Sequence, residues 1–196
     1  MTRASGFTAL AVTAFLWVAP TFAGEFIVDM VCNGCPGDTG QFAVTITNND
    51  GFDLTKVTFD LTTATMAGHP GETLIFDQLL SQANPPGGTA TFFGAQGDQT
   101  FGFTFTGFNT GESFSFVWDS DLEGLATDAV LSDAIGTVVT LDTPAGSVFG
   151  SLTGTAEELG VTIQSPTSAV PEPATLTLLG VGAVVLGALG RWRLRK

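Results

Sequence analysis

Residues 101–118 read FGFTFTGFNTGESFSFVW, and this stretch decides the fold. Phe101, Phe103 and Phe105 alternate with Gly102, Thr104 and Thr106. Phe114, Phe116 and Trp118 alternate with Ser113, Ser115 and Val117. A period of two puts every phenylalanine on one face and the small or hydroxylated residues on the other, as in a strand half-buried against a core. Asn109-Thr110-Gly111 between the runs is turn chemistry.

The same pattern extends outward. Phe42, Val44 and Ile46 alternate with Ala43, Thr45 and Thr47, and Val57, Phe59 and Leu61 with Thr58, Asp60 and Thr62. Further strand candidates are residues 26–31, 73–80, 89–93, 138–141, 147–153 and 161–164. Turn signals separate them: Asn49-Asp50-Gly51, Ala67-Gly68, Asn84-Pro85-Pro86-Gly87-Gly88 and Pro144-Ala145-Gly146. About ten short strands with this punctuation predict an all-β domain, an antiparallel β-sandwich or jelly roll. Only Leu122 to Ala134 hints at a short helix.

Both ends differ in kind. Met1 to Ala23 reads as a secretory signal helix, with Arg3 ahead of an apolar core from Phe7 to Ala19. Cleavage is expected between Ala23 and Gly24, with Ala19 as the alternative and an uncleaved anchor as the other reading. The signal implies a secretion translocon and a signal peptidase as partners. At the other end, Pro171-Glu172-Pro173 is held extended by its prolines. Ala174 to Gly190 is an uncharged run of 17 residues. As a helix it spans roughly 25 Å, near the lower limit for crossing a bilayer core. Arg191, Arg193, Arg195 and Lys196 then hold that end in the cytoplasm, and Trp192 suits the headgroup interface. The physics alone predicts a C-terminal transmembrane helix with its domain outside.

Val170-Pro171-Glu172-Pro173-Ala174, the Leu/Gly/Val-rich span and the arginine-rich end together resemble the PEP-CTERM sorting signal. Thr177 in the leucine run, and Trp192 and Leu194 in the basic end, are small departures. The resemblance implies recognition by exosortase, a membrane transpeptidase. It further implies an exported or envelope location in a Gram-negative bacterium, often one that makes exopolysaccharide or biofilm. It covers the tail and implies nothing about the domain ahead of it.

The expected layout is a signal at 1–23, a β-domain at 24–163, a polar linker at 164–170 and a sorting signal at 171–196. Gly24 to Pro173 carries one lysine, Lys56, against 19 carboxylates, a formal charge of −18. Nucleic acid and anionic lipid are bound through Lys and Arg, so a nucleic-acid role is excluded.

Cys32 and Cys35 are the only cysteines, in Cys32-Asn33-Gly34-Cys35-Pro36. In an exported chain this pair reads as a small disulfide loop; a redox centre has the right spacing but lacks the βαβ surroundings. Asp119-Ser120-Asp121-Leu122-Glu123-Gly124 resembles the start of a calcium loop, with Asp119, Asp121 and Glu123 at first, third and fifth positions. The pattern fails at the twelfth position, which is Val130. An acidic surface turn is the plainer reading, and calcium is the one cofactor the sequence raises.

Enzyme signals are poor. His69 is the only histidine, no Gly-x-Ser-x-Gly elbow is present, and 19 carboxylates make any chosen pair uninformative. The expectation is a non-enzymatic protein. The alternative is a calcium- or glycan-binding module. Against a sugar platform, there is no tyrosine, and Trp118 shares the core phase of Phe114 and Phe116.

Overall fold

The structure is a computed structural model, and it describes residues 24–33, 40–124 and 128–165. Eleven strands are present among them: β1 (Glu25–Cys32), β2 (Gln41–Asn48), β3 (Leu54–Asp60), β4 (Leu74–Ala83), β5 (Thr89–Phe93), β6 (Thr100–Phe108), β7 (Ser113–Leu122), β8 (Val138–Thr143), β9 (Gly146–Ser151), β10 (Thr153–Gly154) and β11 (Glu158–Gln164). They form two antiparallel sheets, a six-stranded one ordered β10-β11-β1-β2-β7-β4 and a five-stranded one ordered β5-β6-β3-β8-β9. The expected all-β sandwich-like architecture is what the described residues adopt.

The alternation that predicted the strands also builds the core. Phe26, Val28 and Met30 of β1, Phe42, Val44 and Ile46 of β2 and Phe114, Phe116 and Trp118 of β7 are all buried on one face of the larger sheet. Phe101, Phe103 and Phe105 of β6 and Val57 and Phe59 of β3 face them from the smaller sheet. The two layers meet ring to ring: Phe59 lies 5.7 Å from Phe116, Phe103 4.8 Å from Phe114 and Phe101 4.7 Å from Trp118. Offset and edge-on aromatic pairs at such spacings add about 0.5–1.5 kcal/mol each to the burial of their surface.

The helix expected within Leu122–Ala134 is not formed by its described residues. Strand β7 runs through Leu122, Asp128 bridges back to Asp121, and only a 3-10 turn, Leu131–Ala134, follows. Leu122, Ala129, Leu131 and Ala134 are buried from these different local structures. A second 3-10 turn, Leu61–Thr63, carries Leu61, which the alternation had placed in β3.

Gln164 is the last residue of β11, and Ser165 is buried, its hydroxyl donating to Asp50 Oδ2 at 2.9 Å. The first two residues of the expected linker are thus held by the sandwich. The secretory signal, the rest of the linker, the transmembrane run and the basic tail lie outside the described residues. Among the described residues no helix is long and apolar enough to cross a membrane.

Candidate functional site

The acidic stretch singled out in the sequence is strand before it is loop. Asp119 pairs with Gln41 on one side and Gln78 on the other, and Asp121 pairs with Ile75. Their neighbours Trp118, Ser120 and Leu122 point into the core, so both aspartates stand on the outer face of the larger sheet. Glu123 and Gly124 make the turn that follows, with Glu123 N–H donating to Thr73 O at 2.9 Å.

The register brings further carboxylates close. Asp77 sits at a bulge of β4, where the pairing with β7 slips between Phe76 and Gln78, and Asp128 bridges Asp121. Partial burial pushes the Asp119 carboxyl above its ordinary range, and Asp77 and Asp128 push it further, against the lowering effect of the Gln78 amide. Asp121 is also raised, first by burial and then by Asp77, Asp119 and Asp128. Gly40 closes one side: a side chain there would meet Asp119 Oδ1 at 2.7 Å and the Asp128 Cβ at 3.2 Å. Its carbonyl accepts from both the N–H and the hydroxyl of buried Ser120.

This is a patch of mutually repelling carboxylates on an open strand face. A calcium loop curls its oxygens inward around the ion, whereas residues two apart on a strand point outward in parallel. Among the described residues no group of three or more His, Cys, Asp or Glu side chains is placed to hold a metal ion.

A second constellation was not visible in the sequence. His69 Nδ1 lies 2.7 Å from Asp133 Oδ2, and that carboxylate is completely buried while the imidazole is 31% exposed. Asp133 Oδ1 also accepts from the N–H groups of Gly68 and His69, and Oδ2 from that of Val130. The loop before His69 is tied to the same region, with Thr65 N–H donating to Ile135 O and Met66 N–H to Asp133 O. Met66 takes a left-handed φ of 54° to do so, the one non-glycine among the described residues with positive φ. The arrangement clasps loop 64–69 to the 3-10 turn. A triad needs a hydroxyl or thiol on the imidazole, and among the described residues Asp133 is the only group bonded to the ring.

The other candidates are placed as follows. Trp118 is fully buried against Phe42, Phe76 and Phe101, a core residue and not a sugar platform. Cys32, the last residue of β1, is disulfide-bonded, and Cys35 lies outside the described residues. Gly24 accepts at its carbonyl from Ser165 N–H, while Ala23 lies outside them. So do Val170, Pro171, Glu172, Pro173, Ala174, Arg191, Arg193, Arg195 and Lys196.

The fold and sites define a class: an all-β, strongly acidic domain followed by a C-terminal segment of the sorting-signal type. Comparison with protein families makes the second half specific, since the PEP-CTERM protein-sorting motif matches residues 169–196. The chain thus carries a C-terminal segment similar to that sorting motif, and the motif implies export and processing by exosortase at the membrane. No curated protein and no solved structure matches the chain.

Proposed function

We propose that this chain is a non-enzymatic protein of the Gram-negative envelope or extracellular matrix, displayed outside the cell among exopolysaccharide or biofilm polymers. The observation that carries the reading is the sorting motif at residues 169–196. A sandwich within a segment, Gly24 to Pro173, of formal charge −18 suits it, since such a surface repels its own kind and other anions. In this reading the transmembrane run holds the chain in the membrane until exosortase acts at Pro171-Glu172-Pro173.

The decisive experiment is the intact mass of the native protein from its own envelope, with mapping of its C-terminal peptide. A mature chain starting near Gly24 and ending around Pro173 supports export and sorting. A chain still ending at Lys196 makes it a permanently anchored protein and removes the sorting step. Turnover of any polysaccharide by the purified protein would overturn the non-enzymatic assignment.

A further inference from the structure

The carboxylate of Asp50 is buried, at 2% exposure, without a cation. Its Oδ1 accepts the Gly51 N–H at 2.7 Å and its Oδ2 the Ser165 hydroxyl at 2.9 Å, both neutral donors. Among the described residues no ion pair reaches it. A carboxylate taken out of water is costly unless an opposite charge meets it. Side chains do not supply one. Between Gly24 and Pro173 the cations are Lys56, which lies over the Phe93 ring, and, when protonated, His69, whose ring is bonded to Asp133.

The residue pressed against Asp50 is Gly24. A Cβ there would stand 2.1 Å from Asp50 Oδ1 and 2.5 Å from its Cα, so the position has room for glycine alone. Backbone bonds fix the approach: Gly24 O accepts from Ser165 N–H at 3.0 Å, and Asn49 N–H donates to Glu25 O at 2.9 Å. The Gly24 nitrogen shares that Cα. Tetrahedral geometry puts it about 2.5 Å from the Cβ position, hence at most about 4.6 Å from Oδ1.

We propose that the missing cation is the α-ammonium of Gly24, created when the secretory signal is removed between Ala23 and Gly24. Hydrolysis of that peptide bond leaves the new carboxylate on Ala23 and the amine on Gly24, where it takes up a proton at neutral pH. Before cleavage the same nitrogen is a neutral amide and offers Asp50 no charge. Cleavage after Ala19 would put the ammonium on Pro20, four residues from the carboxylate. The ion pair ties the start of β1 to the loop after β2. Ser165 on Oδ2 brings in the end of the domain as well, so maturation at one terminus locks both. Glu25, Asp53 and Glu112, the other charged residues on the segments that meet here, are all acidic and supply no rival cation. The proposal rests on the export reading above.

The test is amine acylation of the exported full chain, purified in mild detergent, with the N-terminal peptide followed by mass spectrometry across pH 6–10. Wild type is run beside Asp50→Asn, folded and in urea. The expected peptide begins at Gly24. Its α-amine should react at pH 7 at least about tenfold more slowly in folded wild type than in Asp50→Asn, which corresponds to a pKa at least about one unit above the variant's. The Lys196 amine should react alike in both, and the difference should vanish in urea. If Asp50→Asn fails to fold, the folded and urea-unfolded wild type carry the same comparison. A chain that begins at Gly24 but reacts at the ordinary rate overturns the ion pair and leaves export standing. So does an amine equally slow in wild type and folded Asp50→Asn, since burial alone would then protect it. A chain beginning at Pro20 overturns the proposal but not export, and one still beginning at Met1 overturns both.

Discussion

Asp133, completely buried, lies 2.7 Å from the ring of the chain's only histidine, His69, and accepts three backbone N–H groups as well. Removing the carboxylate orphans donors on two segments at once, whereas removing the imidazole takes away one donor from a carboxylate that keeps three. Asp133→Ala should therefore cost about 3–5 kcal/mol, and His69→Ala about 1 kcal/mol. Urea denaturation of the two variants checks the order. Equal costs would mean that the backbone bonds contribute little to the clasp.

The carboxylates of Asp119 and Asp121 are raised in the folded chain, by burial first and by neighbouring aspartates next. Each binds its proton more readily folded than unfolded, so ionising it costs stability. That cost is absent below the ordinary carboxylate pKa of 3.8 and complete above the raised value. From these two groups, stability falls as pH rises through that window. Asp121→Asn should accordingly raise the thermal midpoint at neutral pH by a degree or two, a few tenths of a kcal/mol after solvent screening. The gain should vanish when the melting is repeated at about pH 3, below the window. A loss of stability at neutral pH would show that the aspartate is held by an attraction.

Where the polypeptide alternated strictly, the sequence was enough: Phe101 to Trp118 and Phe42 to Ile46 lie in strands with the predicted faces inward. What it could not carry were pairings made across long separations. Nothing near His69 marks Asp133, 64 residues away. Asn49-Asp50-Gly51 reads as a solvent turn, yet Asp50 is buried by Ser165, and Asn48 is buried with its amide bonded to Phe52 O and Phe108 O. Turn chemistry specifies the bend, and only the tertiary fold decides what covers it. The acidic stretch from Asp119 was legible as charge but not as geometry, because its pattern does not say that β7 continues through Leu122. The sorting motif was legible because it is a pattern of linear sequence that needs no tertiary pairing, and residues 169–196 match it.

Gly102 occupies β6 where β3 and an aromatic ring crowd it from two sides. A Cβ there would stand 2.0 Å from Val57 O and 2.8 Å from the Phe93 ring, which lies under the Lys56 ammonium at 5.0 Å from its centroid. The ring can swing away, but the carbonyl belongs to a central strand paired on both sides. Gly102→Ala should destabilise the sandwich by roughly 3 kcal/mol, well beyond a typical surface substitution. Gly150→Ala meets only the side chains of Val161 and Ile163 and should cost about 1 kcal/mol. Thermal melting of the pair tests whether the close approach of β3 and β6 is as rigid as the distances require.

Trp118 separates packing from hydrogen bonding in the core. Its ring is fully buried, stacked with Phe76 and edge-on to Phe42, yet its Nε1–H has no partner among the described residues. A buried donor without an acceptor costs about 1–3 kcal/mol. Trp118→Phe removes that unmet donor while losing part of the ring volume, and the two effects oppose each other. Its net change should stay within about 1 kcal/mol, against about 3–5 kcal/mol for Trp118→Ala, which removes the same donor but leaves a far larger cavity. Guanidinium unfolding of both variants reads the difference. A Phe variant destabilised well beyond about 1 kcal/mol would mean that the indole nitrogen is hydrogen-bonded in the folded chain.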